Sequence, residues 1–252
     1  MIQLKTPEQI EIMKVAGRIT GEALLVAKEM IHEGVSTKEI DEKICRYIKK
    51  HGAKPTFLGY GGFPGSACIS VNDEVIHGIP SRNKILKNGD IVKIDVGASW
   101  KGFTGDSAKT FAVGEISEEA KKLIQTTEEC FYEGIKAIEN AENPRIGDLG
   151  FAIQQYVEQR GFSVVREFTG HGVGANLHED PNVPNYGTQG RGARIYPGMT
   201  LAIEPMVNQG TNHVRTLNDG WTVVTADGKL SAHYEHSVAF TSNGIILLTK
   251  VD

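Results

Sequence analysis

A repeat with a spacing of 109 residues constrains this chain more than any local motif. Lys-Asn-Gly-Asp-Ile-Val-Lys-Ile-Asp95 lies 109 positions before Tyr-Pro-Gly-Met-Thr-Leu-Ala-Ile-Glu204. Both segments read as a turn glycine, a strand, and a carboxylate six residues beyond the glycine. The same offset relates Ile44 to Ile153, Tyr47 to Tyr156, Gly52 to Gly161 and Gly89 to Gly198. Any two helix–strand units align at some offset, but here one offset matches glycines, apolar positions and carboxylates together. Two α/β halves related by a pseudo-two-fold axis follow, roughly residues 1–114 and 115–252. Binding sites often form where such units meet, so the carboxylate-ended strands are expected to converge on one cleft. No low-complexity linker separates the halves, and the expectation is a single domain over 1–252.

Local patterns supply the elements of each half. Thr6-Pro7-Glu8-Gln9 predicts a helix start with Thr6 as N-cap and Gln9 completing a capping box. Apolar residues then recur at helical spacing from Ile10 to Ala27, and Gly34 is expected to stop the helix. Ser36-Thr37-Lys38-Glu39 predicts a second capping box, with Ile40, Ile44 and Tyr47/Ile48 on the apolar face and Gly52 at the end. A Gly-rich stretch, Leu58 to Gly65, leads to strands at Cys68–Val71, Ile91–Val96 and Ala108–Val113, with Gly102 and Gly105 as turn residues. In the second half a helix starts at Ser117 and runs to about Asn140. Another opens at Gly147-Asp148 and ends at Gly161.

Bulk properties exclude several classes. A chain of 252 residues with 40% apolar and 23% charged residues can bury a core without staples. Its formal charge of −4 gives neither the basic patch that nucleic acid wants nor a polybasic membrane anchor. Cys45, Cys68 and Cys130 are odd in number and lack CxxC spacing, which fits a reducing cytoplasm. The N-terminus lacks the order of a signal peptide, and no apolar run approaches the roughly 18 residues of a membrane span.

Chemistry concentrates in five residues. Asp95 lies inside an otherwise apolar strand, where a carboxylate is costly unless paired, hydrogen-bonded or metal-bound. Asp106 opens the next apolar run. His171 lies among glycines, where backbone can approach a ligand closely. Glu204 and Glu235 each lie at or within an apolar stretch. Singly, each reads as a turn, capping or core residue. Together, four acids and one imidazole at strand ends form a ligand set for two divalent ions. With no thiolate the site is harder than a structural zinc site, and manganese, iron(II), cobalt or zinc all suit it. Two such ions roughly 3.5–4 Å apart share a water, lower its pKa and polarise a carbonyl.

These residues stand in segments that resemble the methionine aminopeptidases, specifically the short bacterial type I form. The segments are CISVNDEVIHGIP (68–80), GDIVKIDVGASWKGFTGDSAKTFAVG (89–114), FTGHGVGANLHEDPNVPNY (168–186), PGMTLAIEPM (197–206) and DGWTVVTADGKLSAHYEHSVAFT (219–241). The resemblance implies an α+β pita-bread fold, two α/β halves around a central antiparallel-rich sheet enclosing the metals. It implies Asp95 as bidentate ligand of one ion, Asp106 and Glu235 as bridges, and His171 and Glu204 completing the other. Glu204 would also be the acid/base, His77 would contact the scissile amide, and His178 would stabilise the tetrahedral intermediate. Tyr60, Phe63, Cys68 and Trp221 would line the methionine pocket. A monovalent cation is implied near Asn72, Glu74 and Ser231, bound through backbone carbonyls. Gly61, where many members have histidine, together with Leu177 and Phe57, departs from the family pattern and puts the pocket shape in question; Ser107 replaces the commoner threonine.

The activity implied is removal of the initiator methionine from peptides with a small second residue, by a cytoplasmic monomer meeting nascent chains, with a transient ribosome encounter. The rival enzyme is an Xaa-Pro-directed peptidase of the same fold, which usually carries an extra N-terminal domain. Type II methionine aminopeptidases carry a helical insertion for which the span from His178 to Glu204 is too short. A binding protein of this fold would have lost ligands, and all five are present.

Overall fold

Both capping boxes form. In the computed structural model, which describes residues 1–251, the Gln9 N–H donates to Thr6 Oγ1 at 3.3 Å and the Thr6 N–H donates to Gln9 Oε1 at 2.9 Å. They open helix α1 (Pro7–Met30). Ser36 and Glu39 make the same reciprocal pair at the start of α2 (Thr37–Lys50). Such pairs satisfy N–H groups that a helix start otherwise leaves orphaned. Helix α1 stops short of Gly34, because its last buried position is Ala27 and Ile31 already adopts extended backbone.

The first half then lays down strands β1 (Lys54–Pro55), β2 (Ala67–Val71), β3 (Glu74–Ile76), β4 (Ile91–Trp100) and β5 (Phe103–Ala112). Strands β4 and β5 pair antiparallel along their whole length, from Ile91 opposite Ala112 to Trp100 opposite Phe103. Strands β1 and β2 flank β4 on its other edge. The turn lies at Lys101-Gly102, and Gly105 is not part of it. Gly105 sits inside β5 opposite Ala98, where a Cβ would come within 2.7 Å of the Gly17 Cα of α1. Its lack of a side chain lets helix and sheet touch.

The second half repeats the plan with α3 (Glu118–Glu139), α4 (Ile146–Glu158), β6 (Ser163–Val164), β7 (Gly170–Gly172), β8 (Glu179–Val183), β9 (Thr200–Ile203) and β10 (Met206–Asn208). It continues through β11 (Val214–Thr216), β12 (Val223–Thr225), β13 (Ser231–His233), β14 (His236–Thr241) and β15 (Gly244–Leu247). One sheet runs β15-β14-β9-β7-β8, and the assigned strand pairs throughout are antiparallel. Ile40, Ile44 and Ile48 of α2 pack with Ile69 and Ile94, while Phe131, Leu149 and Ile153 of α3 and α4 pack with Leu201 and Val238.

The repeat holds down to single bonds. Helices α2 and α4 start at Thr37 and Ile146, 109 residues apart. Lys54 faces Ser99 in the first half, and Ser163 faces Asn208 in the second. Gly89 and Gly198 share a φ of 94°, a conformation that only glycine adopts readily. The Tyr47 hydroxyl donates to Glu22 and the Tyr156 hydroxyl to Glu129, each at 2.7 Å.

The halves join where β5 runs beside the chain entering β14. The Glu235 N–H donates to the Ala108 carbonyl at 2.8 Å, and the Asp106 N–H donates to Ser237 Oγ at 2.9 Å. Ser107 Oγ donates to the Glu235 carbonyl at 2.6 Å. This seam carries one acid from each half.

Candidate metal centre and cleft

The β5–β14 seam brings Asp106 and Glu235 together, and β7, paired with β9, adds His171. Ligand atoms of Asp106, His171 and Glu235 lie within 4.8 Å of one another, and all three residues are buried. His171 Nε2 stands 3.4 Å from Glu204 Oε1 and 3.7 Å from Asp106 Oδ2. The other ring nitrogen, Nδ1, bonds to the Gly172 carbonyl at 2.8 Å. As donor there, it leaves the Nε2 lone pair for the cluster. Asp95, partly buried on β4, completes the wall of the same cavity, which encloses about 150 Å³.

The donors fit a divalent cation on their own chemistry. Asp95 Oδ1, Asp106 Oδ1 and Glu235 Oε1 are buried with no protein hydrogen-bond partner, a costly arrangement unless a cation satisfies them. Burial, then the crowding of neighbouring carboxylates, pushes Asp95, Glu204 and Glu235 well above the usual carboxylate range. Burial takes Asp106 up to about 7. The same burial, followed by nearby His178, takes His171 down to about 4, so the imidazole is neutral and able to ligate.

Both expected histidines line this cavity. His178 Nδ1 lies 2.7 Å from the Tyr60 hydroxyl, and its ring meets that of His171 at a centroid distance of 4.2 Å. His77, at the end of β3, has a left-handed φ of 58° and stands edge-on to Phe168 and Trp221. Burial, then His178, pushes His77 down to about 4.

The apolar side of the cavity contains all four expected pocket residues, Tyr60, Phe63, Cys68 and Trp221, together with Phe57 and Leu177. The Asp219 carboxylate fixes Trp221 by accepting from the Trp221 and Thr222 N–H groups at 2.9 and 2.8 Å. Gly61 has a φ of 56°, and a Cβ there would press on the indole at 3.3 Å. The three departures thus belong to one packing solution: no side chain at 61, and Phe57 and Leu177 buried around Phe63 and Cys68. Burial, then Asp95, pushes the Cys68 thiol up, leaving it a protonated, apolar wall.

One neighbour of the cluster escaped the sequence reading. His233 is buried, with Nε2 3.7 Å from Glu204 Oε2 and neither ring nitrogen hydrogen-bonded to protein. A signal existed, since His233 and Glu235 are two apart in extended chain and so tend to share a face. The remaining expected group, Asn72, Glu74 and Ser231, gathers elsewhere, around the turn after β2. There the buried Lys93 Nζ donates to the Asn72 carbonyl at 2.7 Å. Burial pushes Lys93 down to about 7, while Glu74, Asp73 and Asp90 pull it the other way.

Comparison with known proteins agrees with this geometry. Metallopeptidase family M24 matches over residues 11–242. A methionine aminopeptidase of Clostridium perfringens is 55% identical across the whole of both chains. One from Escherichia coli is 46% identical over 98% of this chain and 94% of its own. The crystal structure of methionine aminopeptidase from Thermotoga maritima superposes with a TM-score of 0.97 at 47% identity, covering all of both chains. The fold is therefore the pita-bread fold. Prolidase from Pyrococcus furiosus shares it at a TM-score of 0.79 and 25% identity, with this chain spanning 66% of that one. The chain belongs to metallopeptidase family M24 and, within it, to the methionine aminopeptidases. Among the described residues, no helix is long and apolar enough to cross a membrane.

Proposed function

We propose that this chain removes the N-terminal methionine from nascent proteins and peptides whose second residue is small. The observation that carries this reading is one cavity lined both by five metal-type donors and by an aromatic-rich apolar set. Asp95, Asp106, His171, Glu204 and Glu235 would hold two divalent ions, which when bound would supply an activated water and polarise the peptide carbonyl. Cobalt, manganese, iron or zinc each suits oxygen-rich donors with one imidazole.

The chain's own side chains do the rest. Tyr60, Phe63, Cys68 and Trp221 bind an unbranched thioether through apolar contact and sulfur–aromatic attraction. His77 orients the scissile amide from the edge of that pocket. Glu204 holds the proton taken from the attacking water and passes it to the departing amine, the positioned acid/base role. With the Tyr60 hydroxyl as donor to Nδ1, the proton of neutral His178 sits on Nε2. That N–H stabilises the carbonyl oxygen as charge develops, a contribution of about 3–4 kcal/mol. The setting this reading implies is a cytoplasmic monomer acting on chains as they leave the ribosome, with no membrane or nucleic-acid partner.

The test compares Met-Ala-Ser with a matched Xaa-Pro peptide, using metal-reconstituted protein. Free methionine from the first alone is the expected result. Cleavage only at the Xaa-Pro bond overturns the reading, and metal analysis of the active protein checks for two ions per chain.

A further inference from the structure

Lys93 is among the largest fully buried side chains, and the metal centre does not use it. It lies on β4 two positions before Asp95, opposite Ser70 of β2 and Thr110 of β5. A buried amine needs compensation, and the Asn72 carbonyl provides it by accepting from Nζ at 2.7 Å. That carbonyl is a junction. Asn72 has a left-handed φ of 53°, its side chain donates to Asp90 Oδ1 at 2.8 Å, and it accepts from the Ile91 N–H at 3.0 Å. Its carbonyl also accepts from the Ser231 N–H at 3.1 Å. Ser231 opens β13, four residues before Glu235, and its hydroxyl donates to Asn208 Oδ1 at 2.8 Å. A turn of the first half, a strand of the second and an amine from β4 thus meet at one oxygen.

These are the surroundings, Asn72, Glu74 and Ser231, in which the family resemblance implies a free monovalent cation. They do not fit one here. A like charge beside the Lys93 ammonium on the same carbonyl would be repelled, most strongly where water is excluded. We propose that Lys93 is the monovalent cation of this chain, a tethered ammonium that pins the Asn72 turn to β13 and makes a free ion unnecessary. Glu74, which pairs with Lys84, and Asp90, which holds Asn72, favour the charge from nearby without bonding to Nζ. A tethered group is present at high effective concentration and does not depend on the salt outside. The proposal stands apart from the peptidase reading, because stability rather than turnover reports it.

The test is thermal melting of the metal-loaded protein in sodium, potassium and choline chloride at equal ionic strength. The native chain is expected to melt alike in all three. Lys93→Ser, which opens space for an ion, should melt several degrees lower in choline and recover as sodium or potassium rises, by mass action. Lys93→Met, which fills the space without charge, should melt lower and show no recovery. A native chain that needs sodium or potassium overturns the proposal. So does a Lys93→Ser protein that melts alike in the three salts, or a Lys93→Met protein that sodium rescues equally. If Lys93→Ser does not fold, sodium-23 resonance on the native chain decides: line broadening that potassium competes away overturns the proposal, and its absence supports it.

Discussion

In the first half the strand carrying Asp95 runs unbroken over ten residues, Ile91–Trp100, with Asp95 opposite both Cys68 and Ala108. Its counterpart in the second half stops at Ile203, and the chain resumes as β10 only at Met206. Pro205 stands in the gap, and proline has no N–H to give a ladder. The break sends β9 to β14 and β7 but β10 to β13 and β6. Glu204 therefore sits at a strand end, its carbonyl held by Asn185 Nδ2 at 3.0 Å. Its carboxylate lies between His171 and His233. Equivalent positions stand in different settings, and under the proposed function a carboxylate locked in a ladder suits fixed ligation while one at a break beside two imidazoles suits proton transfer.

The sharpest way to break that comparison is to neutralise each carboxylate in turn. Glu204→Gln should lower kcat by on the order of 10²–10⁴ while retaining most of its metal, because the amide keeps an oxygen donor. Asp95→Asn should lose metal itself, since an amide cannot ligate through two oxygens. Metal content measured beside turnover separates the two. Near-native turnover in Glu204→Gln with metal bound would remove Glu204 from the chemistry, and equal metal loss in both would erase the distinction.

A second, smaller effect links the halves through pH. The Asp106 carboxyl, raised by burial from 3.8 to about 7, keeps a proton in the folded metal-free state that the unfolded chain releases. The contribution of this carboxyl to the stability of the metal-free protein should therefore fall as pH rises from about 4 to about 7. Asp95, Glu204 and Glu235 act in the same direction, while His171 and His77, lowered by burial to about 4, give the opposite slope with or without metal. Metal replaces the carboxyl protons, so the melting gap between loaded and chelated protein should widen across that window. A gap constant with pH counts against the cluster as the metal site.

The smallest effect tests where the halves remain alike. Tyr47→Phe and Tyr156→Phe each remove one hydrogen bond to a glutamate, and each should cost about 0.5–1.5 kcal/mol. The costs should be similar, and additive in the double variant to within about 0.5 kcal/mol. Denaturant melts measure this, and strongly unequal costs would show that the symmetry is geometric only.

Much of this arrangement is legible in the sequence. Helix starts are readable because a cap is a bond between residues three apart, and the half-repeat is readable because each copy folds by the same local rules. Gly105 reads as a turn residue in the sequence because nothing local reveals that α1 lies against it. Asp106 and Glu235 do not share the 109-residue offset: β11 and β12, between β10 and β13, have no counterpart between β4 and β5, and the strand registers place His233 rather than Glu235 at the position equivalent to Asp106.

The sequence by itself determined two halves of one plan and five candidate donors, since periodicity and residue chemistry act over short distances along the chain. The apolar wall was implied only by the family resemblance of its segments. The tertiary structure alone decided that Asp106 faces Glu235 across the seam, that His233 stands beside Glu204, and that Lys93 ends on the Asn72 carbonyl. Each of those contacts depends on strand register and on which side chains burial leaves without water. Those are settled only when residues as far apart as Ser107 and Glu235, 128 positions in sequence, come within a hydrogen bond of each other.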